Sequence, residues 1–553
     1  MLSEAKLSVI KSEIKTFSRE ELVWFNGYIT GLLSQNSGIR EAENPVYETT
    51  VKPTIIYGTE TGNSKKLAFE LQSLLKKNSI KSRVSDAAQY AVTGIEKETF
   101  IILIISTQGE GEVPENARNL VQKLSQQGLS LPDLSYAVLA LGDRSYPLFC
   151  KAGEDTDLLL FNKGATRMLP LQKADTDYEE TAGLWFNDII SVLKNYAWEK
   201  IPVPNRTELI ETGSKKEYEG AVRHKVVLND RGSNKETYHI EIISDEEPIY
   251  EPGDAVGFYP YNSESETKAV ARFLKDENRH GELKKCNIKG LGKMQLKALS
   301  ALLNTSIEEE RSDLADVLEK YGVPESVGFN EVFSLLHPVS PRLYSISSSP
   351  EAHTGELHIT VNHHRFKAGG SIKSGFCSKF LGELEPGEPL NFYIHKNRHF
   401  RLPSDDIDVI MIGPGTGIAP FRSFLAHRDA KGAQGRNWLF FGEQHFISDF
   451  YYQTEIQQWL ATGVLTKLDT AFSRDQKQKI YVQHCIKEQA EELVAWIESG
   501  AYLYVCGQKH PMSQDVDDAL KEALSRVKGL NTADAAAYLG QLEQQGRYNK
   551  DVY

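Results

Sequence analysis

The sequence predicts an α/β protein of several domains: a doubly wound parallel-sheet unit, an antiparallel β unit with a helical insertion, and a second strand–turn–helix unit. Three observations carry this. Between residues 53 and 150, three apolar strands each run into a loop rich in Gly and hydroxyl or acidic residues. From 219 to 403, strands alternate polar and apolar residues around a charge-rich helical stretch at about 263–335. Near 408–422, an apolar strand meets a glycine turn and then a helix. A chain of 553 residues has room for about three or four domains of roughly 150 residues each.

Composition narrows the class. Lys plus Arg is 63 and Asp plus Glu is 76, for a net charge of -13. That argues against general nucleic-acid binding and suits either plain solubility or a basic partner. The five cysteines form no C-x-x-C pair, so neither a disulfide framework nor a zinc site is expected, and a reducing compartment fits. The first residues lack the apolar core of a signal peptide. No run approaches the ~20 apolar residues of a spanning helix. The expectation is a cytoplasmic protein with neither a membrane nor a nucleic-acid partner.

Residues 1–50 read as a helical segment followed by a polar linker from Ser34 to Thr50. Leu22, Phe25 and Ile29 share one face, too short to bury itself. It packs on another subunit or a later domain, or caps the next domain.

Residues 51–196 form the first unit. The strand Pro53–Tyr57 enters Gly58, Thr59, Glu60, Thr61, Gly62, Asn63 and Ser64, and then a helix with Leu67, Leu71, Leu74 and Leu75 on one face. Backbone N–H groups at that helix start would meet a phosphate, the dipole adding roughly 0.3–1 kcal/mol. No G-x-x-x-x-G-K-[ST] is present, which excludes an ATPase P-loop. Thr99–Ile105 leads into Ser106, Thr107, Gln108 and Gly109. Tyr136–Leu141 leads into Gly142, Asp143, Tyr146, Phe149 and Cys150. Ligands sit beyond the carboxyl ends of parallel strands, so the three loops should converge. The first would take a phosphate and the second a ring edge through backbone groups. The third would stack Tyr146 on the ring. These are the requirements of FMN.

The three loops resemble the flavodoxin-type domain of diflavin reductases. Ser-Thr-Gln-Gly-Glu-Gly-Glu at 106–112 is similar to the form in flavoprotein subunits of NADPH-dependent assimilatory sulfite reductases. Gln108 stands where cytochrome P450 reductases usually carry an aromatic. The resemblance implies a flavodoxin-like domain, an antiparallel FAD-binding β-barrel and a Rossmann-like NADP domain of the ferredoxin-NADP reductase type.

A linker at 197–218, stiffened by Ile201-Pro-Val-Pro204, precedes the β-rich unit at 219–403. Its insertion at about 263–335 reads as a spacer without recognisable chemistry. The strands resume at Arg342, Leu343, Tyr344 and Ser345. Here a guanidinium suits a phosphate, a phenol ring suits a flavin face, and a hydroxyl suits a ring nitrogen. Gly375, Phe376, Cys377 and Ser378 open a helix that offers a second N-terminus for a pyrophosphate. Cys377 reads as a small turn residue rather than a reactive thiol.

The last unit, 404–553, opens on Asp408–Arg422. Gly413, Gly415 and Gly417 miss the G-x-G-x-x-G fingerprint because Ile418 holds its last place. Gly415, Thr416 and the residues after them instead resemble the pyridine-nucleotide half of ferredoxin-NADP reductases. An NAD-binding strand tends to present a carboxylate to the ribose. Here Ser473 and Arg474 end the strand, with Lys479 and Tyr481 close behind, a set that suits the 2′-phosphate of NADPH.

Further roles come from the resemblance. It implies cofactor contacts at Thr360, Val361, Asn362, Gln483 and Asp515. Ser345 would lie near the flavin N5 and Cys506 would crowd the nicotinamide. Asp551 would stabilise its developing positive charge, and Tyr553 would cover the FAD ring as a lid. Electrons would pass from NADPH to FAD to FMN, then to a separate sirohaem and iron–sulfur subunit that reduces sulfite. The chain lacks the cysteine set for that cluster. Another haem or nitrogen-assimilation acceptor is the alternative. Relatives with a similar N-terminal segment form homo-oligomers through it. Glu110, Glu112, Glu115, Glu154 and Asp155 ring the first site and would steer a basic partner or the FAD unit, or else form a solvated acidic face.

Overall fold

The computed structural model describes residues 52–195 and 216–553, apart from residues 91, 110, 127, 145, 147, 310, 369 and 370. The N-terminal segment, most of the 197–218 linker and Glu110 lie outside the described residues.

The first unit is a parallel sheet of β1 (Thr54–Gly58), β2 (Arg83–Asp86), β3 (Phe100–Ser106), β4 (Ser135–Leu141), β5 (Thr166–Arg167) and β6 (Gln172–Ala174). The strand order is β2-β1-β3-β4-β5, with β6 also against β4. β1, β3 and β4 are buried nearly throughout, which is why they read as unbroken apolar runs. Helices 63–77, 151–162 and 178–195 cover the sheet, and Leu67, Leu71 and Leu75 are fully packed. The strands run parallel, so the three ligand loops leave from one edge.

The second unit comprises β7 (Glu217–Val227), β8 (Thr237–Ser244), β9 (Ala255–Phe258), β10 (Arg342–Ser345), β11 (Glu356–Asn362) and β14 (Pro389–His395). β7 starts two residues inside the stretch read as linker. The antiparallel order is β10-β9-β14-β7-β8-β11. Its ends meet: Ile346 bridges Ile359, and the Ser347 amide donates to the His358 carbonyl at 2.8 Å. The sheet is therefore a closed barrel. A hairpin of β12 (Arg365–Ala368) and β13 (Ser371–Ser374) was not anticipated. Among the described residues the insertion holds four α-helices and a 3-10 helix from Glu264 to Phe333 around its own core, which includes Val270, Leu296 and Leu318. Its first helix opens on a capping box between Ser263 and Glu266.

The third unit is a parallel sheet of β15 (Val409–Ile412), β16 (Asn437–Glu443), β17 (Lys467–Phe472), β18 (Tyr502–Gly507) and β19 (Tyr548–Val552), in the order β17-β16-β15-β18-β19. β19 is unexpected, since the chain end carried no strand signal. It puts Asp551 beside Cys506 and Val552 beside Gly507. Phe400, on the barrel side of the expected boundary at 403–404, packs in this unit's core with Phe424 and Tyr504.

Candidate functional site

One cleft of about 1820 Å³ runs between the units. It is lined by Arg342–Ser345, by Gly375–Ser378, and by Gly415, Thr416, Ser473, Arg474, Lys479 and Tyr481. Thr360, Asn362, Gln483, Asp515, Asp551 and Tyr553 also face it, and Gly109 and Tyr146 reach it from the first unit. The phosphate loop at 59–64 and the rest of the first unit's predicted residues stand outside it.

That phosphate loop is pre-shaped. The Thr59 amide donates to Asn116 Oδ1, and the Gly62 amide to Thr59 Oγ1, both at 2.9 Å. Gly62 has φ +94°, a conformation that suits glycine, and a Cβ there would meet open space. Ser64 Oγ is buried without a hydrogen-bond partner at the helix start, as an oxyanion acceptor would require of it. Glu60 accepts from the Glu115 amide. In the second loop, Gln108 and Glu112 exchange backbone hydrogen bonds at 2.9 and 2.7 Å, closing it tightly. Thr107 Oγ1 accepts from the Ala152 amide, and Ser106 Oγ donates to the Gly58 carbonyl. In the third, the Tyr146 amide donates to the Asp143 carbonyl at 3.0 Å. A Cβ on Gly142 would come within 2.9 Å of the Phe149 ring. Leu141 is a core residue and Cys150 is fully buried, its thiol donating to the Ala140 carbonyl, so both offer a ligand main chain only. Burial pushes the Cys150 thiol up to about 12. The acidic rim is partly neutralised, because Glu154 pairs with Lys173 and Asp155 with Lys151.

Tyr146 does not stop at its own unit. Its hydroxyl donates to the Pro341 carbonyl at 3.4 Å and lies on the Arg342 guanidinium. The two predicted flavin sites thus touch. Arg342 has no carboxylate partner among the described residues, leaving its charge available to a phosphate.

At the end of β10, Ser345 Oγ donates to Asp551 Oδ2 at 3.0 Å, with Cys506 Sγ 4.0 Å from the same oxygen. Asn397 Nδ2 reaches Asp551 Oδ1 at 3.5 Å. Burial raises the Asp551 carboxyl above its usual range, against the lowering effect of the Ser345 bond. Burial, and then the Asp551 charge, raise the Cys506 thiol far above its usual range, so it is a thiol and not a thiolate. Tyr553 hydroxyl meets Thr416 Oγ1 at 2.9 Å while the residue is 63% exposed. Its backbone continues the β18 pairing, with its amide on the Gly507 carbonyl. Tyr344 is held edge-on to Phe258 and against Cys377, whose thiol burial pushes up to about 12.

Gly375 caps helix 376–383, and a Cβ there would press on Ser378 Oγ at 2.9 Å. Thr360 Oγ1 is bonded to the Tyr452 hydroxyl at 2.6 Å, and Asn362 Nδ2 to Thr237 Oγ1 at 3.0 Å. Val361 turns into the barrel core and offers only its main chain. In the third unit, Gly417 explains the broken fingerprint: a Cβ there would lie 2.1 Å from the Cys506 carbonyl oxygen. The tight approach falls one residue earlier than in G-x-G-x-x-G, and Ile418 is free to enter the core. Arg474 and Lys479 are exposed and have no ion-pair partner among the described residues. Ser473 is nearly buried between them and the sheet. Gln483 Nε2 donates to Asp515 Oδ2 at 3.1 Å.

Sequence reasoning missed the insertion's share. Asn287, Lys289, Arg311 and Asp313 line the same cleft, as do Phe366 and Ile372 of the hairpin. Lys373 ties the hairpin to Asp313 and Asp316. No local motif marks these residues; only the charge-rich composition of the stretch hints at them. Glu241, Glu356 and His358 bring ligand-type atoms within 4.8 Å of one another. Arg422 Nη1 donates to His358 Nδ1 at 3.1 Å, so the imidazole proton sits on Nε2, which donates to Glu356 at 2.8 Å. Both nitrogens of the His358 ring are thus engaged and it offers no lone pair to a metal, while Glu356 is paired with Arg223.

No helix among the described residues is long and apolar enough to cross a membrane. The flavodoxin family matches residues 55–185, and the oxidoreductase NAD-binding domain family matches 411–518. The sulfite reductase [NADPH] flavoprotein alpha-component of Bacillus subtilis (strain 168) is 34% identical over 603 residues, covering 100% of this chain and 98% of the relative. The protein of the same name from Shewanella oneidensis is 35% identical over 597 residues, with coverage of 100% and 98%. That from Vibrio cholerae serotype O1 is 36% identical over 596 residues, with 100% and 96%.

Proposed function

Because this chain belongs to the sulfite reductase [NADPH] flavoprotein alpha-component family, we propose that it delivers electrons from NADPH to a sirohaem and iron–sulfur partner that reduces sulfite to sulfide. It is an NADPH-dependent flavoprotein oxidoreductase using FAD, FMN and NADPH. When bound, FAD supplies hydride acceptance and FMN supplies single-electron delivery.

The chain's own residues supply position and charge. Thr59–Ser64 would hold the FMN phosphate, Ser64 Oγ gaining the partner it lacks. Arg342 and the helix start at Gly375–Ser378 would hold the FAD phosphates, and Tyr344 its ring. Ser473, Arg474 and Lys479 would select the 2′-phosphate, giving preference for NADPH over NADH. Tyr553, tied to the protein face by one side-chain hydrogen bond, would leave the cleft when nicotinamide enters. Ionised Asp551 would oppose the positive charge that forms on the nicotinamide, while Cys506 limits its approach.

The observation that carries this reading is the meeting of Ser345 and Asp551 at one cleft with Cys506 buried beside them, since the three come from two units and three strands. The test is to reduce the protein with NADPH, add a sirohaem hemoprotein and assay sulfide. Sulfide formation supports the reading. Reduction of flavin without sulfide, from a hemoprotein competent with another reductase, rejects the partner. On the same reading, residues 1–50 assemble copies of the chain, and sedimentation of a chain lacking them tests it.

A further inference from the structure

Arg422 lies in the first turn of helix 419–431, the helix that leaves the glycine turn, and is 5% exposed. Its guanidinium makes contacts on three elements. Nε and Nη2 grip Glu455 at 2.6 and 2.8 Å. Nη1 donates to the Ser347 carbonyl at 2.9 Å and to His358 Nδ1 at 3.1 Å. The plane also covers the Tyr452 ring at 4.9 Å, and the Tyr452 hydroxyl in turn meets Thr360 and His239. The next positions on the helix repeat the grip. Ser423 Oγ donates to the Ser348 carbonyl, and His427 Nδ1 lies 3.0 Å from Ser349 Oγ. Three consecutive residues, beginning two after Ser345, are thus held by one helix.

The same helix touches the other half of the site. Its leading turn carries Gly417, packed on the Cys506 carbonyl, and Thr416, bonded to Tyr553. Ser345 on the barrel, and Cys506 with its strand neighbour Asp551 on the third unit, are therefore both referenced to one rigid element. A plain stabilising ion pair would need only Glu455. Spending the remaining donor on a main-chain carbonyl beside Ser345 fixes a distance, and the planar, multi-donor guanidinium is the group able to do so. Burial and then the Arg422 charge hold His239 down to about 3, and they lower His358 and His353 as well. The imidazoles around the latch are therefore neutral acceptors or donors and not rival cations.

We propose that Arg422 is a positioning residue for hydride delivery, setting the spacing of Ser345 from Asp551 and Cys506 through the main chain of Ser347. This rests on the function proposed above.

The test uses the full-length flavin-loaded protein as wild type, Arg422→Lys, Ser423→Ala and Ser345→Ala. Lysine keeps the charge but has one nitrogen where three donate. Anaerobic stopped-flow reduction with NADPH, and with NADPH deuterated at the transferred position, reads rate and isotope effect. Amide exchange of residues 346–349 and 550–552 in the flavin-free protein reads the spacing independently of activity. For Arg422→Lys, reduction at saturating NADPH should slow about tenfold and the isotope effect should rise. The half-saturating NADPH concentration should stay within about twofold. Exchange should increase in both segments. An unchanged rate, or an equal loss appearing only in half-saturation, overturns the proposal. If Arg422→Lys loses its flavin, Ser423→Ala decides: about threefold slower reduction with a raised isotope effect supports the proposal, and wild-type behaviour overturns it. Ser345→Ala separates the two levels. If it too reduces at the wild-type rate, the assignment of the hydride site fails, and not the latch alone.

Discussion

Against the C-terminal unit the barrel is joined by a buried guanidinium, whereas against the N-terminal unit it is joined by a half-exposed imidazole. Arg422 satisfies three elements at once, with aromatic packing and the Ser348 and Ser349 contacts beside it. On the other side, His399 Nε2 lies 2.9 Å from the Tyr178 hydroxyl and 3.0 Å from Glu179, and Lys66 Nζ is 3.1 Å from Nδ1. Beyond these, Tyr146 of the N-terminal unit meets Pro341 of the barrel, and Lys509 of the C-terminal unit reaches Glu60. Such partly solvated polar pairs are each worth about 0–1 kcal/mol. The difference matches two demands. Hydride delivery needs atoms held to fractions of an ångström. On the proposed function, the N-terminal unit also serves an outside acceptor and is better held lightly.

The largest expected effect breaks the tight side. Arg422→Ala leaves Glu455, His358 and the Ser347 carbonyl without their donor, and losing one partner of a buried pair costs roughly 3–5 kcal/mol. Glu455 is partly solvated, which places the loss at the lower end. Urea unfolding followed by FAD fluorescence should show it. The FMN unit's transition, followed separately, should not move.

Next come the two tyrosines of the cleft. Tyr344 is packed on Phe258 and Cys377, while Tyr553 is largely exposed behind one hydroxyl contact. Tyr344→Ala should lose FAD by tenfold or more in affinity, in line with about 1–3 kcal/mol for a ring stacked on an aromatic base. Deleting Tyr553 should keep FAD and alter NADP⁺ affinity. Flavin content after gel filtration and NADP⁺ titration separate the two, and equal flavin loss in both would contradict the assignment.

A third prediction sharpens the shared strand end. Burial holds the Asp551 carboxyl above its usual range, so it takes up a proton at a higher pH than an ordinary aspartate near 3.9. NADPH-driven flavin reduction should fall as pH drops through that raised value, because a neutral carboxyl cannot oppose the nicotinamide charge. Asp551→Asn should be slow and lack that limb in a stopped-flow pH profile. Stability has the opposite sign. The buried carboxyl favours the fold while protonated, and that contribution is lost as pH rises through the raised value. Asp551→Asn should therefore raise the melting temperature slightly at neutral pH.

These contrasts were unevenly legible beforehand. The three parallel-strand loops could be read because each follows an uninterrupted apolar strand, and parallel pairing then forces their ends together. The glycine turn after β15 was legible as a turn, but its tight contact at Gly417 depends on where β18 passes, which no local pattern shows. β19 was missed because Tyr-Asn-Lys-Asp-Val is polar and makes an edge strand, paired on one side only. Arg422 was visible merely as the last residue after the turn. Its partners lie at 347, 358 and 455, and so do not exist until the barrel and sheet are both formed. Lys289, Arg311 and Asp313 escaped for the same reason, since the insertion meets the cleft only in three dimensions.

The smallest effect tests the light side. His399 uses both ring nitrogens, Nδ1 facing Lys66 and Nε2 facing Tyr178 and Glu179, so the ring bridges an ammonium and a carboxylate. Burial pushes Glu179 up, but the His399 bond, its own backbone amide and the neighbouring His399 and Lys66 charges together hold the carboxyl below its usual range. His399→Ala should cost the docking of the FMN unit only about 0.5 kcal/mol, because its side chain is 41% exposed and screened. Small-angle scattering should show a modest expansion, and transfer from FAD to FMN should slow by about twofold at that cost. Reduction of FAD by NADPH should be little changed, since His399 takes part in neither the Arg422 contacts nor the Ser345–Asp551 pair. Should FAD reduction fall in His399→Ala as it does in Arg422→Lys, the two interfaces would not be independent. The hydride geometry would then depend on all three units together.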